Sequence, residues 1–203
     1  MRTILASGSP SRRKIFEKLG IKFEIVVSDF VEENPAKLET ADLVCELAKG
    51  KAESVYKKIE QEDDFIILGF DSLVELDGEI IGKLKTKKEA LETFQKYRGR
   101  RVGLFSGVSI IGKFRGKFFQ KTVHEISYLH FKKETTNCQI RDFLDYEQWK
   151  NVAGGITVEG ASSFLIKKIE GDWNNILGVP VLKMNQMISD ILGKPAIKIF
   201  EKN

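Results

Sequence analysis

The chain has 203 residues, of which 42% are hydrophobic, so it can bury a substantial core as one large domain or two closely joined lobes, and we expect a single domain over residues 1–203. Its 33 basic and 29 acidic residues leave a net charge of +4, which is low for a protein held mainly by nucleic-acid phosphates. Cys45 and Cys138 lie far apart, and no apolar run reaches the length of a membrane span or a signal-peptide core. We therefore expect a cytoplasmic protein with two free, buried thiols and no membrane partner.

Residues 7–13 read Ser-Gly-Ser-Pro-Ser-Arg-Arg and join a predicted strand at 3–6 to a predicted helix at 14–20. A turn of small residues that opens a helix directs several N–H donors and the positive end of the helix dipole at one point. We predict an anion site here, formed by the hydroxyl and guanidinium side chains Ser7, Ser9, Ser11, Arg12 and Arg13. The alternative is that Ser9 only caps the helix, with Pro10 at its first position.

The next segments alternate between strand and helix patterns. A strand at 23–27 runs into an acidic turn at 28–35, and a helix is predicted over 43–59 with Thr40 or Asp42 as its cap. The continuous apolar run at 65–70 is typical of a strand covered on both faces, and Asp71 stands at its end. Folds of the α/β class present functional side chains from such positions, so Asp71 is the leading catalytic candidate.

The remaining elements complete the same alternation. The Asp77-Gly78 pair predicts a tight hairpin, and Thr86 is the predicted cap of a helix over 87–97. Further strands are predicted at 102–111, 117–129 and 163–169, and further helices at 137–145 and 181–192. We therefore predict an α/β protein with a mixed central sheet flanked by helices.

Three groups of polar residues could meet in one cleft of such a fold. They are the turn at 7–13, the carboxylates Glu32, Glu33 and Asp71, and the lysines Lys51 and Lys83. Triphosphate chemistry needs cations and N–H donors for the phosphate oxygens, carboxylates for a divalent metal, and one carboxylate that deprotonates water. Each acid taken singly is more often a solvated surface charge, so the prediction depends on the groups lying together.

Spaced motifs over nearly the whole chain resemble the Maf family of nucleoside triphosphate pyrophosphatases. Residues 6–12 are similar to the family's Ala-Ser-x-Ser-Pro-x-Arg motif and 69–74 to its Gly-x-Asp-x-x-Val motif. Residues 81–84 are similar to the Gly-Lys-Pro that follows the family's hairpin, with Leu84 in place of the proline. The late Ala-Gly, glycine-aspartate and Gly-Leu-Pro motifs are similar to 153–154, 171–172 and 178–180.

The resemblance implies a two-lobed fold around a deep cleft, commonly a homodimer, that uses Mg²⁺ or Mn²⁺ to convert a nucleoside triphosphate to monophosphate and pyrophosphate. It implies that Asp71 and Lys83 are catalytic, with Asp71 as the general base. Arg12 and the serine turn would bind phosphates together with Lys51 and Lys83. Glu33 and Asp71 would hold the metal, with Glu32 as the alternative to Glu33.

Three positions bear on the choice of base. Members that resemble the dTTP/UTP type carry arginine, threonine and glutamine where this chain has Ser11, Ser72 and Glu159. A glutamate only accepts hydrogen bonds, which suits the two N–H donors of guanine, and the branch that hydrolyses 7-methyl-GTP has glutamate at this late position. The other two markers of that branch are absent. The sequence favours 7-methyl-GTP, with a dTTP/UTP-type enzyme, or Glu159 as a solvated charge, as alternatives.

Two functions of other classes compete with the enzyme. A regulatory protein without catalysis would have no need to retain Asp71, Lys83 and Arg12 together. RNA binding is suggested by alternating cations and aromatic residues at 113–121, but a hairpin with one buried face explains the same alternation through Phe114 and Phe118. We therefore expect a nucleotide substrate and no nucleic-acid partner.

Overall fold

The computed structural model describes residues 1–33, 37–59, 64–146 and 149–199. Its strands are β1 (Arg2–Ala6), β2 (Glu24–Ile25), β3 (Phe65–Leu76), β4 (Glu79–Ile81), β5 (Arg101–Phe114), β6 (Lys117–Phe131) and β7 (Ile166–Glu170). Its helices are α1 (Pro10–Lys18), α2 (Thr40–Tyr56), α3 (Lys87–Tyr97), α4 (Asn137–Tyr146), α5 (Trp173–Ile176), α6 (Val181–Leu192) and α7 (Ala196–Ile199), with a 3₁₀ helix at Ala161–Leu165.

The seven described strands form one mixed sheet in the order β2-β1-β3-β5-β6-β7, and β4 pairs with the far end of β3. β1 is parallel to both β2 and β3, whereas the pairs formed by β3, β5, β6 and β7 are antiparallel. The predicted α/β class with a mixed central sheet flanked by helices is confirmed. Among the described residues, no helix combines the length and apolar character that crossing a membrane requires.

Three clusters of buried side chains form the core around this sheet. On one face, α1 and α6 pack on the first half of β3, and on the other face α2 covers the same strand. The third cluster lies at the opposite end of the long strands, where α3 and α4 pack on the end of β3 and the start of β5. The two lobes around a deep cleft that the resemblance implies stay a prediction.

Two glycines let α2 lie directly on the sheet. A Cβ on Gly107 of β5 would overlap the backbone carbonyl oxygen of Val44, and a Cβ on Gly69 of β3 would lie 2.5 Å from that of Ala48. No side chain other than hydrogen fits at either point. Because α2 lies this close to the sheet, its polar side chains can contact residues of β3.

Several local predictions are confirmed. Thr86 begins α3 with a complete capping box, in which its hydroxyl accepts from the Glu89 backbone N–H and the Glu89 carboxylate accepts from Thr86. The hairpin between β3 and β4 turns at Asp77 and Gly78, whose φ angles are +52° and +84°. The helix predicted over 181–192 has the same bounds in the structure.

Other local predictions are wrong. β3 does not end before Asp71 but continues to Leu76, because the residues after Asp71 keep pairing with β5. Residues 163–165 belong to the 3₁₀ helix, and strand pairing begins only at Ile166. The N-cap of α2 is Glu39, so neither Thr40 nor Asp42 caps it.

The predicted surroundings of the cysteines and of the β5–β6 hairpin also need correction. Cys45 is half-buried and Cys138 is exposed, although both are free thiols as expected. Phe118, predicted to be buried, is exposed and lies with its ring tilted against that of Tyr56, whereas Phe119 packs against the core. Positions 34 and 35 of the predicted acidic turn lie outside the described residues.

Candidate functional site

The alternation of side chains along β3 sends Asp71 and Ser72 to opposite faces of the sheet. Phe65 and Ile67 pack toward α2, so Asp71 points to the same side and meets that helix. There its Oδ1 accepts a hydrogen bond from Lys51 Nζ at 2.5 Å. Asp71 is 5% exposed, so its charge is balanced by this ammonium within a largely buried setting.

Lys51 joins a second carboxylate to the same cluster. Its Nζ lies 2.6 Å from Glu32 Oε1, on the loop between β2 and α2. Partial burial raises the pKa of Glu32, but the hydrogen bond from Lys51 and the charges of Lys51, Lys83 and Arg12 together lower it below the ordinary value. Three cations predicted from the sequence, Lys51, Lys83 and Arg12, therefore act electrostatically on Glu32.

The second carboxylate oxygen of Asp71 differs from the first in its contacts. Among the described residues, its Oδ2 is buried and has no hydrogen-bond partner. A buried carboxylate oxygen without a partner is costly unless a ligand, an ion or water uses it. The geometry therefore leaves this oxygen available for chemistry, while Oδ1 is held by Lys51.

Arg12 lies on the other face of β3 and joins three segments of the chain. Its Nε donates to the Gly178 carbonyl at 3.0 Å, Nη1 donates to the Phe70 carbonyl at 2.9 Å, and Nη2 donates to Ser72 Oγ at 3.1 Å. A further bond runs from Nη1 to Ser7 Oγ at 3.3 Å. Burial lowers the pKa of Arg12, which the charges of Asp71 and Glu32 partly counter. Arginine still stays charged under ordinary conditions.

These bonds change the role expected of Arg12. A guanidinium has five N–H donors, and protein acceptors take four of those in Arg12. One proton on Nη2 remains for an anion. Arg12 therefore joins α1, β3 and the turn at Gly178 by hydrogen bonds. Its role as a phosphate ligand stays a prediction, for which one donor and its charge remain.

The predicted anion turn is organised by its own side chains. Ser7 is buried, and its Oγ accepts from the Ser9 backbone N–H at 3.2 Å. Ser9 occupies the N-cap of α1 with proline at the first position, but its hydroxyl makes no capping hydrogen bond. Ser9 therefore occupies the N-cap, as the capping alternative states, but its hydroxyl does not cap the helix. Ser11 is exposed at the same end of the helix.

Arg13 points away from this cluster. Its Nε lies 2.8 Å from Glu17 Oε1, and the two residues share a shallow cavity on the outer side of α1 with Phe23 and Ile25. No contact on the described part of the chain links Arg13 to Lys51 or Asp71. Its role as a phosphate ligand stays a prediction.

Lys83 and Leu84 follow β4 and lie beside the late Ala-Gly motif. Lys83 forms an isolated antiparallel bridge with Ala153, and the Gly154 N–H donates to the Gly82 carbonyl at 3.0 Å. Leu84, which replaces the family's proline, is 3% exposed and belongs to the core beside α3. The leucine therefore anchors the loop by apolar burial, and the Lys83 ammonium stays exposed near Glu32.

Two other candidate carboxylates, those of Glu33 and Glu159, have fewer or longer contacts in the described structure than the carboxylate of Glu32. Glu33 is exposed, and within the described ranges it makes no side-chain hydrogen bond or ion pair. Glu159 is also exposed and lies 3.8 Å from the ammonium of Lys18 at the end of α1. The structure thus brings Glu32 rather than Glu33 to Lys51, and it places Glu159 next to a cation.

A buried polar network behind Arg12 was missed in the sequence. Asn175, 1% exposed, donates from Nδ2 to the Leu104 carbonyl at 3.1 Å and to Ser127 Oγ at 3.0 Å. Ser106 Oγ donates to the Asn175 carbonyl at 3.3 Å and lies 3.0 Å from Ser72 Oγ. The network connects Arg12 to the 171–180 segment. Only the two ends of this segment, 171–172 and 178–180, are similar to family motifs. Asn175, a polar residue between these motifs, was the signal that could have indicated the network.

Fold and site together define an α/β protein whose candidate site combines cations with carboxylates beside the middle of β3. The chain belongs to the Maf family, because the family described as Maf-like protein matches residues 2–191. The family expected from the spaced motifs is therefore confirmed.

Curated relatives agree with this assignment. The chain is 33% identical over 189 residues to a dTTP/UTP pyrophosphatase of Clostridium botulinum (strain Okra / Type B1), covering 93% of this chain and 96% of the relative. It is 31% identical to the dTTP/UTP pyrophosphatase of Treponema denticola, covering 92% and 95% of the two chains. Among solved structures, the Staphylococcus aureus Ham1 protein matches with a TM-score of 0.44 and 17% identity over 66% of this chain and 73% of that one, a likeness too low to bear on function.

Proposed function

We propose that this chain is a nucleoside triphosphate pyrophosphatase, which hydrolyses its substrate to nucleoside monophosphate and pyrophosphate. The observation that carries the proposal is the cluster in which Lys51 joins Asp71 and Glu32, with Arg12 and Lys83 near enough to act on Glu32 electrostatically. The curated relatives described above, named dTTP/UTP pyrophosphatases, support the reaction type.

In the proposed reaction Asp71 is the general base. Lys51 holds Oδ1, so the unpartnered Oδ2 is the oxygen that accepts a proton from water. The water oxygen forms a bond to the α-phosphorus while the bond from that phosphorus to the bridging oxygen breaks, and pyrophosphate leaves. Burial of Asp71 keeps competing solvent away from the carboxylate.

The cations of the site bind and orient the triphosphate in this proposal. Lys51 and Lys83 are point charges, Arg12 offers its last N–H, and the turn at 7–9 directs backbone donors at the start of α1. Ser9 and Ser11 add hydroxyls at the same helix end. Because Arg13 pairs with Glu17 on the outer side of α1, we assign it a smaller share of binding.

The donor set suits a divalent metal. Carboxylate oxygens are the ligands that Mg²⁺ and Mn²⁺ prefer, and the carboxylates of Asp71 and Glu32 lie together around Lys51. Asp71 with Glu32 or Glu33 would hold it. When bound, the metal would neutralise phosphate charge and favour departure of pyrophosphate.

For the base, we propose that the Glu159 carboxylate accepts hydrogen bonds from a guanine edge, with 7-methyl-GTP as the candidate substrate. Its exposed carboxylate offers acceptors only. The second candidate is a uracil or thymine nucleotide, because the relatives are named dTTP/UTP pyrophosphatases. A homodimer in the cytoplasm also stays a proposal.

A pyrophosphate-release screen tests the reaction. Purified protein is incubated with GTP, 7-methyl-GTP, UTP, dTTP and the other ordinary triphosphates, each with Mg²⁺, with Mn²⁺ and with EDTA. We expect release of pyrophosphate and monophosphate in equal amounts, and its loss in EDTA. Absence of release from every nucleotide would favour the regulatory alternative, and binding to single-stranded RNA with a steep salt dependence would favour RNA recognition.

Glu159→Gln tests the choice of base. If the carboxylate accepts from guanine, the amide places a donor opposite N–H groups, and the same change suits uracil and thymine. We expect the ratio of kcat/KM for 7-methyl-GTP over UTP to fall by roughly 10–100-fold, or about 1.4–2.7 kcal/mol. Lys18→Ala, which removes only the ion-pair partner, is the matched control and should leave the ratio nearly unchanged. An unchanged ratio in Glu159→Gln would mean that the base is recognised elsewhere.

A further inference from the structure

Residues 27–33, which we call the acidic loop, lie along one side of α2. On that side the helix presents Gly50 and Ser54, and Lys58 follows just beyond its last turn. Residues four apart lie above one another on a helix, so these three positions form one row. The acidic loop meets the row in antiparallel order.

The first half of the loop is held by polar contacts. Ser54 Oγ donates to the Asp29 carboxylate and accepts from the Asp29 backbone N–H at 3.3 Å. Lys58 Nζ lies 3.2 Å from Asp29 Oδ2 and donates to the Val27 carbonyl at 3.2 Å. These bonds attach the loop to the end of α2.

The next contact is apolar and depends on a glycine. A Cβ on Gly50 would overlap the ring of Phe30, with 2.7 Å to Cδ2. Glycine inside a helix is unfavourable relative to alanine, so its presence there calls for a packing reason. The reason in this structure is that only glycine lets the Phe30 ring lie on the helix backbone.

We propose that Phe30 and Gly50 are positioning residues that fix the acidic loop, and with it Glu32, in the site. Glu32 follows Phe30 by two residues and Lys51 follows Gly50 by one, so the seated ring brings carboxylate and ammonium together at 2.6 Å. Lys51 in turn holds Asp71. For its effect on turnover this inference rests on the proposed function, but its effect on the loop does not.

The experiment compares wild type with Gly50→Ala, Phe30→Ala and the double variant, with Val31→Ala as the control. Val31 is an apolar residue of the same loop that is 70% exposed. Backbone amide exchange of the acidic loop is followed by mass spectrometry, and pyrophosphate release is measured over a range of Mg²⁺ concentrations. Circular dichroism checks that helix content is retained.

We expect amides of the acidic loop to exchange at least tenfold faster in both single variants and kcat/KM to fall at least tenfold. The Mg²⁺ concentration for half-maximal turnover should rise several-fold, which loss of folded enzyme alone would not produce. The double variant should be no worse than the more affected single variant, because both changes remove one contact. Val31→Ala should behave as wild type.

The proposal is overturned if loop exchange is unchanged in Phe30→Ala, if exchange accelerates while kcat/KM and the Mg²⁺ requirement stay unchanged, or if the two single effects add. Phe30→Ala leaves the helix sequence intact, so it decides the matter even if Gly50→Ala does not fold. Should wild type release no pyrophosphate from any nucleotide, the proposed function fails, and amide exchange alone then decides whether Phe30 and Gly50 hold the loop.

Discussion

Asp71 combines a fixed oxygen with an unpartnered one. Lys51 Nζ holds Oδ1 at 2.5 Å, whereas Oδ2 is buried without a partner in the described structure. An amide at this position would keep the shape and lose the ability to accept a proton from water. Replacing this carboxylate by an amide therefore tests its chemistry while the shape of the side chain is kept.

We expect Asp71→Asn to retain nucleotide affinity within a few-fold and to lower turnover by about 10²–10⁴-fold, because the amide cannot act as general base. The measurements are single-turnover rates and nucleotide binding by calorimetry. Asp190→Asn, which changes an exposed acid paired with Lys121, is the control and should turn over normally. Near-normal turnover in Asp71→Asn would remove Asp71 from the base role.

The two cysteines differ in their surroundings. Burial, followed by the nearby charges of Asp42 and Glu46, raises the pKa of the Cys45 thiol to about 11. A thiol with that pKa is about one part in a thousand thiolate at pH 8, and the thiolate is the reactive form. Cys138 is exposed.

Iodoacetamide at pH 8 should therefore modify Cys138 well before Cys45. Because the pKa of Cys45 is raised, its rate should keep increasing as the pH rises toward 11. Mass spectrometry of peptides after timed alkylation measures both rates, and Cys138→Ser shows Cys45 alone. Equal rates at pH 8 would contradict the raised pKa.

At the scale of the secondary-structure elements, α2 contacts both the sheet and the candidate site. Its close approach at Gly69 and Gly107 places Lys51 beside Asp71, and its outer row holds the acidic loop. A substitution under the helix tests how much stability depends on this close approach.

Gly107→Ala should lower the free energy of unfolding by about 1–3 kcal/mol, because its Cβ would overlap the Val44 carbonyl and push α2 off the sheet. Denaturant unfolding monitored by circular dichroism measures the change. Gly82→Ala is the matched control for stability, since a Cβ there has no atom within 4 Å, and should stay within about 0.5 kcal/mol. Equal stability of the two variants would show that the helix adjusts freely.

At the scale of the molecule, Arg12 connects residues far apart in sequence. It binds the carbonyls of Phe70 and Gly178, and the network through Ser72, Ser106 and Asn175 continues from the same guanidinium. The Arg12 side chain therefore joins the N-terminal helix to the 171–180 segment by hydrogen bonds, in addition to their apolar packing.

We expect Arg12→Lys to lower the free energy of unfolding by about 1.5–3 kcal/mol and to weaken nucleotide binding, because an ammonium cannot reproduce the planar set of donors. Chemical denaturation and calorimetry measure the two effects. Arg13→Lys keeps an exposed i,i+4 pair with Glu17 and should leave stability within about 0.5 kcal/mol. Unchanged stability in Arg12→Lys would leave only the phosphate role.

Features with local causes could be predicted from the sequence. The capping box at Thr86, the Asp77-Gly78 turn and the helix over 181–192 depend on side chains and φ angles within a few residues. The spaced motifs also identified the family and contain Asp71, Lys83 and Arg12, whereas Lys51 was predicted only as a cation that could meet them in one cleft. The strand predicted over 163–169 failed in its first half, because the choice between a 3₁₀ turn and a strand depends on pairing with β6.

By itself, the sequence determined the α/β class, the family and the chemical types of the site residues, because periodicity, turn residues and motif spacing are properties of the chain. Only the tertiary structure decided which of these groups meet. The alternation along β3 turned Asp71 to Lys51 and Ser72 to Arg12, and Glu32 rather than Glu33 came to lie against Lys51. Two carbonyls and two hydroxyls took four of the five N–H donors of Arg12. Contact between residues far apart depends on packing, which local sequence patterns do not encode.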